Sequence, residues 1–338
     1  MKLDLNQIKN ITCGAVRIEE ENGGTRFYRF TEEQEHLYKI TNEDFYNKTF
    51  ATAGIKLSFK TNSNRLGIRI KELQCVSRKY FSFDVFVDGK PIGYIDNFSH
   101  KSLPRDYTLE NLEDGDFSGT FDMVEGEKTI CIYLPWSAKF VLDEISLEDG
   151  AYITPVKPEK KILVFGDSIT QGYDALRPSM RYVSKLAEAI DAEEFNKAIG
   201  GEIFFPDLAE IKDYFTPDYI AVAYGTNDWN VSNEETFKYN CRKFYKTLSE
   251  NYKNSKIFAI TPIWRKELNE YRPFGKFEKI AENIKQAVND LENVTVISGF
   301  DFVPKDEKYF ADLRLHPNDE GFDHYFKKLF EEIKKALG

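Results

Sequence analysis

The 338-residue chain has no apolar run of 18 residues, no Cys-x-x-Cys pair, no long Lys/Arg run and only four histidines. Each shortage excludes something. Without a long apolar run no transmembrane helix is expected, and Met1-Lys2-Leu3-Asp4-Leu5-Asn6 has no apolar signal region. Cys13, Cys75, Cys131 and Cys241 are widely scattered, which argues for free thiols in a reducing compartment rather than a disulfide framework or a zinc site. A cytoplasmic location is therefore expected. The formal net charge of −10 and a pI near 5.2 argue against nucleic acid or an anionic membrane as partner. No internal repeat or low-complexity tract interrupts the chain.

What is present is enough apolar material for substantial cores: 41% hydrophobic residues, 15% of all residues being aromatic. The length suggests two domains. Up to residue 150 the texture is all-β. Arg26–Phe30, Ile55–Lys60, Leu66–Ile70 and Phe81–Val87 alternate apolar with polar residues, the period of strands with one buried face. Asp88-Gly89 between two such runs signals a hairpin. Further strands are expected around Lys128–Leu134 and Phe140–Leu147, so residues 1–150 read as an antiparallel sandwich or jelly roll. Residues 151–158, with Pro155 and Pro158, read as a linker.

From residue 159 to 338 the pattern becomes α/β. Apolar runs at Ile162–Phe165, Tyr219–Ala223, Ile257–Ile260 and Val294–Ile297 alternate with helical patterns at Tyr182–Ile190, Glu235–Tyr252, Phe277–Leu291 and Phe322–Leu337. That alternation predicts a parallel sheet covered by helices on both faces, a three-layer α/β/α domain. Ligands of such sheets bind beyond the carboxyl ends of the strands. Every conspicuous motif falls there: Gly166-Asp167-Ser168 after the first strand, Gly200-Gly201 after a short strand near Phe195, Gly225-Thr226-Asn227-Asp228, and His316 before the last helix. A serine on such a turn can be a nucleophile if an imidazole comes within hydrogen-bond reach.

These blocks resemble those of the SGNH (GDSL-type) hydrolase superfamily of esterases, lipases and deacetylases. Gly166-Asp167-Ser168, Asn196-Lys197-Ala198-Ile199-Gly200-Gly201, Gly225-Thr226-Asn227-Asp228 and Leu315-His316-Pro317-Asn318-Asp319-Glu320-Gly321 stand in the family's order. The resemblance implies Ser168 as nucleophile, His316 as base, and the Ser168 and Gly201 N–H groups with the Asn227 amide as oxyanion donors. It implies no metal and no organic cofactor. One departure stands out. The family's usual last block is Asp-x-x-His, whereas Asp312 lies four residues before His316 and Leu313 fills the expected position. A bulged loop that returns Asp312 to Nδ1, a backbone carbonyl near Arg314, or another carboxylate such as Asp301 are the alternatives, with Asp312 preferred.

A β-sandwich ahead of such a module resembles, by architecture only, the carbohydrate acetyl-esterases with an amino-terminal jelly roll. The expected function is removal of short acyl groups, chiefly acetyl, from a small-molecule or oligosaccharide ester. Another family activity (thioesterase, lipase or acyltransferase) and a catalytically silent carbohydrate-binding protein are the alternatives. Trp229, Trp264 and Arg265 are candidate substrate contacts, each tryptophan being equally well read as core. His36 and His100 have no partner pattern, and His324 reads as a helix residue without catalytic role. Asn318 and Asp319 are expected to cap the last helix, Asp167 to shape the nucleophile turn, and broad sandwich surfaces to mediate a homodimer.

Overall fold

The structure, a computed structural model, describes residues 1–99 and 112–337; His100 lies outside the described residues. Two antiparallel sheets build the amino-terminal half. One runs in the order Arg17–Glu21, Gly24–Tyr28, Ala138–Leu147, Arg65–Cys75, Gly115–Asp122. The other runs Thr12–Cys13, Lys56–Thr61, Lys128–Tyr133, Ser82–Val87, Lys90–Asp96. Their apolar faces share a core in which Leu57, Phe59, Phe83 and Ile132 meet Ile68, Ile70, Phe140 and Leu142. Asp88 and Gly89 both take positive φ, as a two-residue hairpin turn requires. The segment read as a linker carries a short strand, Thr154–Pro155, paired with Lys56–Thr61.

This half is not free of helices. Leu5–Ile11, Glu32–Thr41 and Glu43–Thr49 are helical. Thr31 and Gln34 form a capping box at the second of these, a start signal present in the sequence but not read there. With so few buried positions, periodicity alone gave these helices little voice: only Gln34, Glu35 and Tyr38 are buried in the second.

The second half holds a parallel sheet of β1 (Lys160–Gly166), β2 (Ala192–Asn196), β3 (Tyr219–Ala223), β4 (Lys256–Ile260) and β5 (Val294–Ile297) in the order β2-β1-β3-β4-β5. Alternate residues of β1 enter opposite cores. Leu163 and Phe165 pack with Phe244 and Ile284, while Ile162 and Val164 pack with Leu186 and Leu329. Helices Glu234–Asn251 and Glu278–Val288 therefore cover one face, and Tyr182–Ala189 and Asp319–Leu337 the other. The chain leaves β1 to one side for β2 and to the other for β3. Such a reversal opens a crevice at the carboxyl end of the central strand, where a ligand can sit.

Candidate active site

Ser168 stands at that reversal, on the first residue of the short helix Ser168–Gln171. Asp167 caps the helix, its buried carboxylate accepting from the Ile169 N–H at 3.0 Å. Burial pushes the Asp167 carboxyl up to about 6. It shapes the turn. Because Ser168 opens the helix, its own N–H has no intrahelical acceptor and is available to an anion.

His316 Nε2 lies 2.8 Å from Ser168 Oγ, and His316 Nδ1 lies 2.7 Å from Asp312 Oδ2. The four-residue spacing closes because Leu313 takes φ +61°, a left-handed kink that folds the loop back on itself. The Asp312 Oδ1 atom then accepts the N–H groups of Arg314, Leu315 and His316 at 3.1, 2.8 and 3.0 Å. Burial alone would raise the Asp312 carboxyl, but the His316 ring and these N–H groups outweigh it and hold the group well below its ordinary range. Asp301 is exposed and pairs with Lys305, and the Arg314 carbonyl accepts from Lys266, so neither alternative orients the ring.

Gly201 has φ +93°, and a Cβ there would meet Phe45 only at 3.5 Å, so backbone angle rather than crowding asks for glycine. Asn227 reaches the same cavity and donates one amide hydrogen to the Glu202 carbonyl at 3.0 Å. Glu202 is buried, with the Tyr224 hydroxyl at 2.7 Å and that of Tyr38 on its other oxygen. Burial raises its carboxyl to about 8, against the two tyrosines, which lower it.

Residues 164–324 match the GDSL-like lipase/acylhydrolase family. The match takes in Ser168, Gly201, Asn227, Asp312 and His316. By sequence, no curated protein matches the chain. By fold it is similar to a salicylyl-acyltransferase, SsfX3, from a tetracycline biosynthetic pathway, at 18% identity over 96% of this chain and 94% of that one, TM-score 0.78. A family two carbohydrate esterase from Clostridium thermocellum, solved with cellohexaose, is 15% identical over 97% and 99% with TM-score 0.67. An acetyl xylan esterase, Est2A, from Butyrivibrio proteoclasticus is 14% identical over 100% and 98% with TM-score 0.65. At such identities the likeness is one of fold.

The amino-terminal half also enters the GDSL-like site. Arg78 binds Asp174 through two hydrogen bonds of 2.6 and 3.0 Å, and its guanidinium lies 4.9 Å from the Tyr173 ring centroid. The Asp174 Oδ2 atom is 3.6 Å from His316 Nδ1, and Tyr173 stacks on the His316 ring at 5.9 Å. Asp174, Asp312 and His316 are close enough to hold a cation, but Arg78 engages both Asp174 oxygens and Nδ1 faces Asp312, so the donors are committed. Lys48 bonds the Gly200 carbonyl, and the fully buried Arg29 donates to the carbonyls of Asn196 and Ala198 at 3.0 Å each. None of these had a sequence signal, because a contact between distant elements leaves no period in the chain.

The proposed tryptophan contacts need correction. Trp229 is fully buried, donates to the Gly275 carbonyl and packs on Phe277, so it is core beneath the cavity floor. Trp264 packs on Phe310 and does not line the cavity. Arg265 does line the cavity, although its side chain is almost enclosed and its Nη1 donates to the Thr226 carbonyl. His324 lies edge-on to Tyr309, and Asn318 caps the last helix through Gly321 N–H while Asp319 instead accepts from Leu176 N–H.

Proposed function

We propose that the protein is a serine esterase that removes short acyl groups, acetyl above all, from carbohydrate. The observation that carries this reading is the continuous Asp312–His316–Ser168 relay at the edge of a cavity of about 640 Å³. Asp312 fixes the hydrogen on Nδ1, which leaves the Nε2 lone pair for the Ser168 hydroxyl proton. The freed oxygen attacks the acyl carbon, and the carbonyl oxygen becomes an oxyanion facing the Ser168 and Gly201 N–H groups and the second Asn227 amide hydrogen. His316 then returns its proton to the leaving alcohol, and water releases the acyl group by the reverse sequence.

The preference for a short acyl group is supported by the many polar and charged side chains around the cavity. Carbohydrate as the alcohol is supported by the fold shared with the xylan and family two esterases. In this reading residues 1–150 are a jelly-roll sandwich, joined through 151–158 to a hydrolase domain of residues 159–338, and the enzyme works in the cytoplasm on imported oligosaccharides. A second reading, acyl transfer, is supported by the fold shared with the salicylyl-acyltransferase and would use the same residues.

The test is hydrolysis of aryl acetate, butyrate and octanoate by the wild type and Ser168→Ala. Serine-dependent turnover that falls steeply with chain length is expected. Turnover only on addition of a sugar acceptor would move the assignment to acyl transfer.

A further inference from the structure

The walls of the cavity have a charge opposite to that of the chain. The protein carries 56 acidic against 46 basic side chains. Yet Lys48, Arg78, Arg265, Arg272 and Arg314 line the space in front of Ser168 with His316, and among the described residues no aspartate or glutamate does.

Three of these cations form one group. Arg265 and Arg272 both lie over the Trp229 ring, at 5.0 and 5.1 Å from its centroid. Arg314 joins them because the Lys266 N–H holds the Arg314 carbonyl at 3.0 Å. Burial lowers the Arg265 guanidinium; Glu267 opposes this, and the neighbouring Arg272 and Arg314 charges add to it. Glu267 is shared, taking Arg265 at 3.4 Å and Arg314 at 3.0 Å, and Glu270 takes Arg272 at 2.7 Å. Asp312 Oδ2, already on His316 Nδ1, lies 3.7 Å from Arg314 Nε, so the three guanidiniums share three carboxylates, none of which lines the cavity. Arg272 Nε is enclosed without an acceptor, which is uncommon for a buried donor. Guanidiniums that converge on one cavity, one of them with an Nε lacking an acceptor, suit an incoming oxyanion group.

The position of the group decides which half of the ester it meets. Arg314 is two residues from His316, whose Nε2 must reach the leaving oxygen, and Arg265 is fixed to Thr226 beside Asn227. The arc thus borders the alcohol side. We propose that the alcohol carries an oxyanion group, a carboxylate as in an O-acetylated uronic acid or a phosphate as in an acetylated sugar phosphate. This deepens the esterase reading and rests on it.

The experiment uses full-length Ser168→Ala protein and calorimetry, so that binding is read without turnover. Probes are an acetylated galacturonic acid trisaccharide, its methyl-esterified counterpart and acetylated glucose 6-phosphate. At low salt one charged probe should bind about tenfold or more tightly than the neutral one, a margin typical of charge-assisted hydrogen bonds, and added salt should narrow it. Combining Arg272→Ala with Arg314→Ala should erase most of the margin. Equal affinities, no binding of either charged probe, or a margin untouched by the arginine changes would overturn the proposal. The better charged probe separates carboxylate from phosphate. Serine-dependent hydrolysis of neutral aryl acetate by the wild type reports separately on the esterase reading.

Discussion

Replacing Asp312 by Asn should lower turnover of an aryl acetate by about 10⁴-fold, the scale seen when a triad acid becomes an amide. The structure gives the reason atom by atom. Oδ1 accepts three backbone N–H groups at 2.8–3.1 Å, whereas Oδ2 is hydrogen-bonded to His316 Nδ1 at 2.7 Å, with Arg314 Nε 3.7 Å away. Three donors decide the orientation of the new amide: its oxygen takes the Oδ1 position and its NH₂ is turned on Nδ1. The ring must then accept at Nδ1 and carry its hydrogen on Nε2, aimed at Ser168 Oγ where a lone pair is needed. The loss corresponds to about 5.4 kcal/mol of barrier, at about 1.36 kcal/mol per tenfold. Asp174 is no substitute, being 3.6 Å from Nδ1 and engaged by Arg78. The assay is kcat and KM with aryl acetate, with thermal unfolding as a check on folding. A decrease in kcat at nearly constant KM is expected. A folded variant that retains more than about a tenth of wild-type kcat would refute orientation of the ring by Asp312, since the wrong tautomer cannot leave that much activity.

Two further outcomes follow from the same loops. Leu313→Pro should abolish turnover in a folded protein, because proline fixes φ near −65° while the kink needs φ +61°; Leu313→Gly should remain active, and an active proline variant would show that the kink does not set the Asp312 contact. Glu202 keeps its proton in the folded state up to about 8 but loses it in the unfolded chain near 4.5. The folded state then binds more protons across that window, so stability falls as pH rises through it, by up to about 1.4 kcal/mol per pH unit. Glu202→Gln should flatten, not abolish, this slope in urea unfolding, since Asp167 and Asp228, raised by burial to about 6 and about 7, act in the same sense. Parallel slopes for the two proteins would show that Glu202 is ionised in the fold.

The sheet of the second half was legible because its parallel strands are short, nearly all-apolar runs: the buried Tyr219–Ala223 and the edge strand Val294–Ile297 have the bounds expected of them. Ser168, Gly201, Asn227 and His316 were legible as neighbours because each follows a strand or precedes a helix at one edge of that sheet. What escaped were residues whose role depends on long-range closure. Nothing local marks Arg78, 96 residues from its partner Asp174, or the stacking of Tyr173 on His316. Strand Arg17–Glu21 escaped because it holds four charged residues and no fully buried one. Trp229 was ambiguous for the opposite reason: a large ring with one N–H suits a cleft wall and a core equally, and only the Gly275 carbonyl decides it.

The Arg29 contact bears on how such a protein can be inherited. Its guanidinium, rooted in the amino-terminal half, holds the carbonyls of Asn196 and Ala198, just ahead of Gly200 and Gly201. The glycine loop is thus braced from the amino-terminal half of the chain. A recombination that joined the GDSL-like half to another leading segment would deliver the serine, the histidine and the aspartate intact, yet leave that loop without its brace. Parting the two halves would therefore leave the carbonyls of Asn196 and Ala198 without the donor that Arg29 supplies.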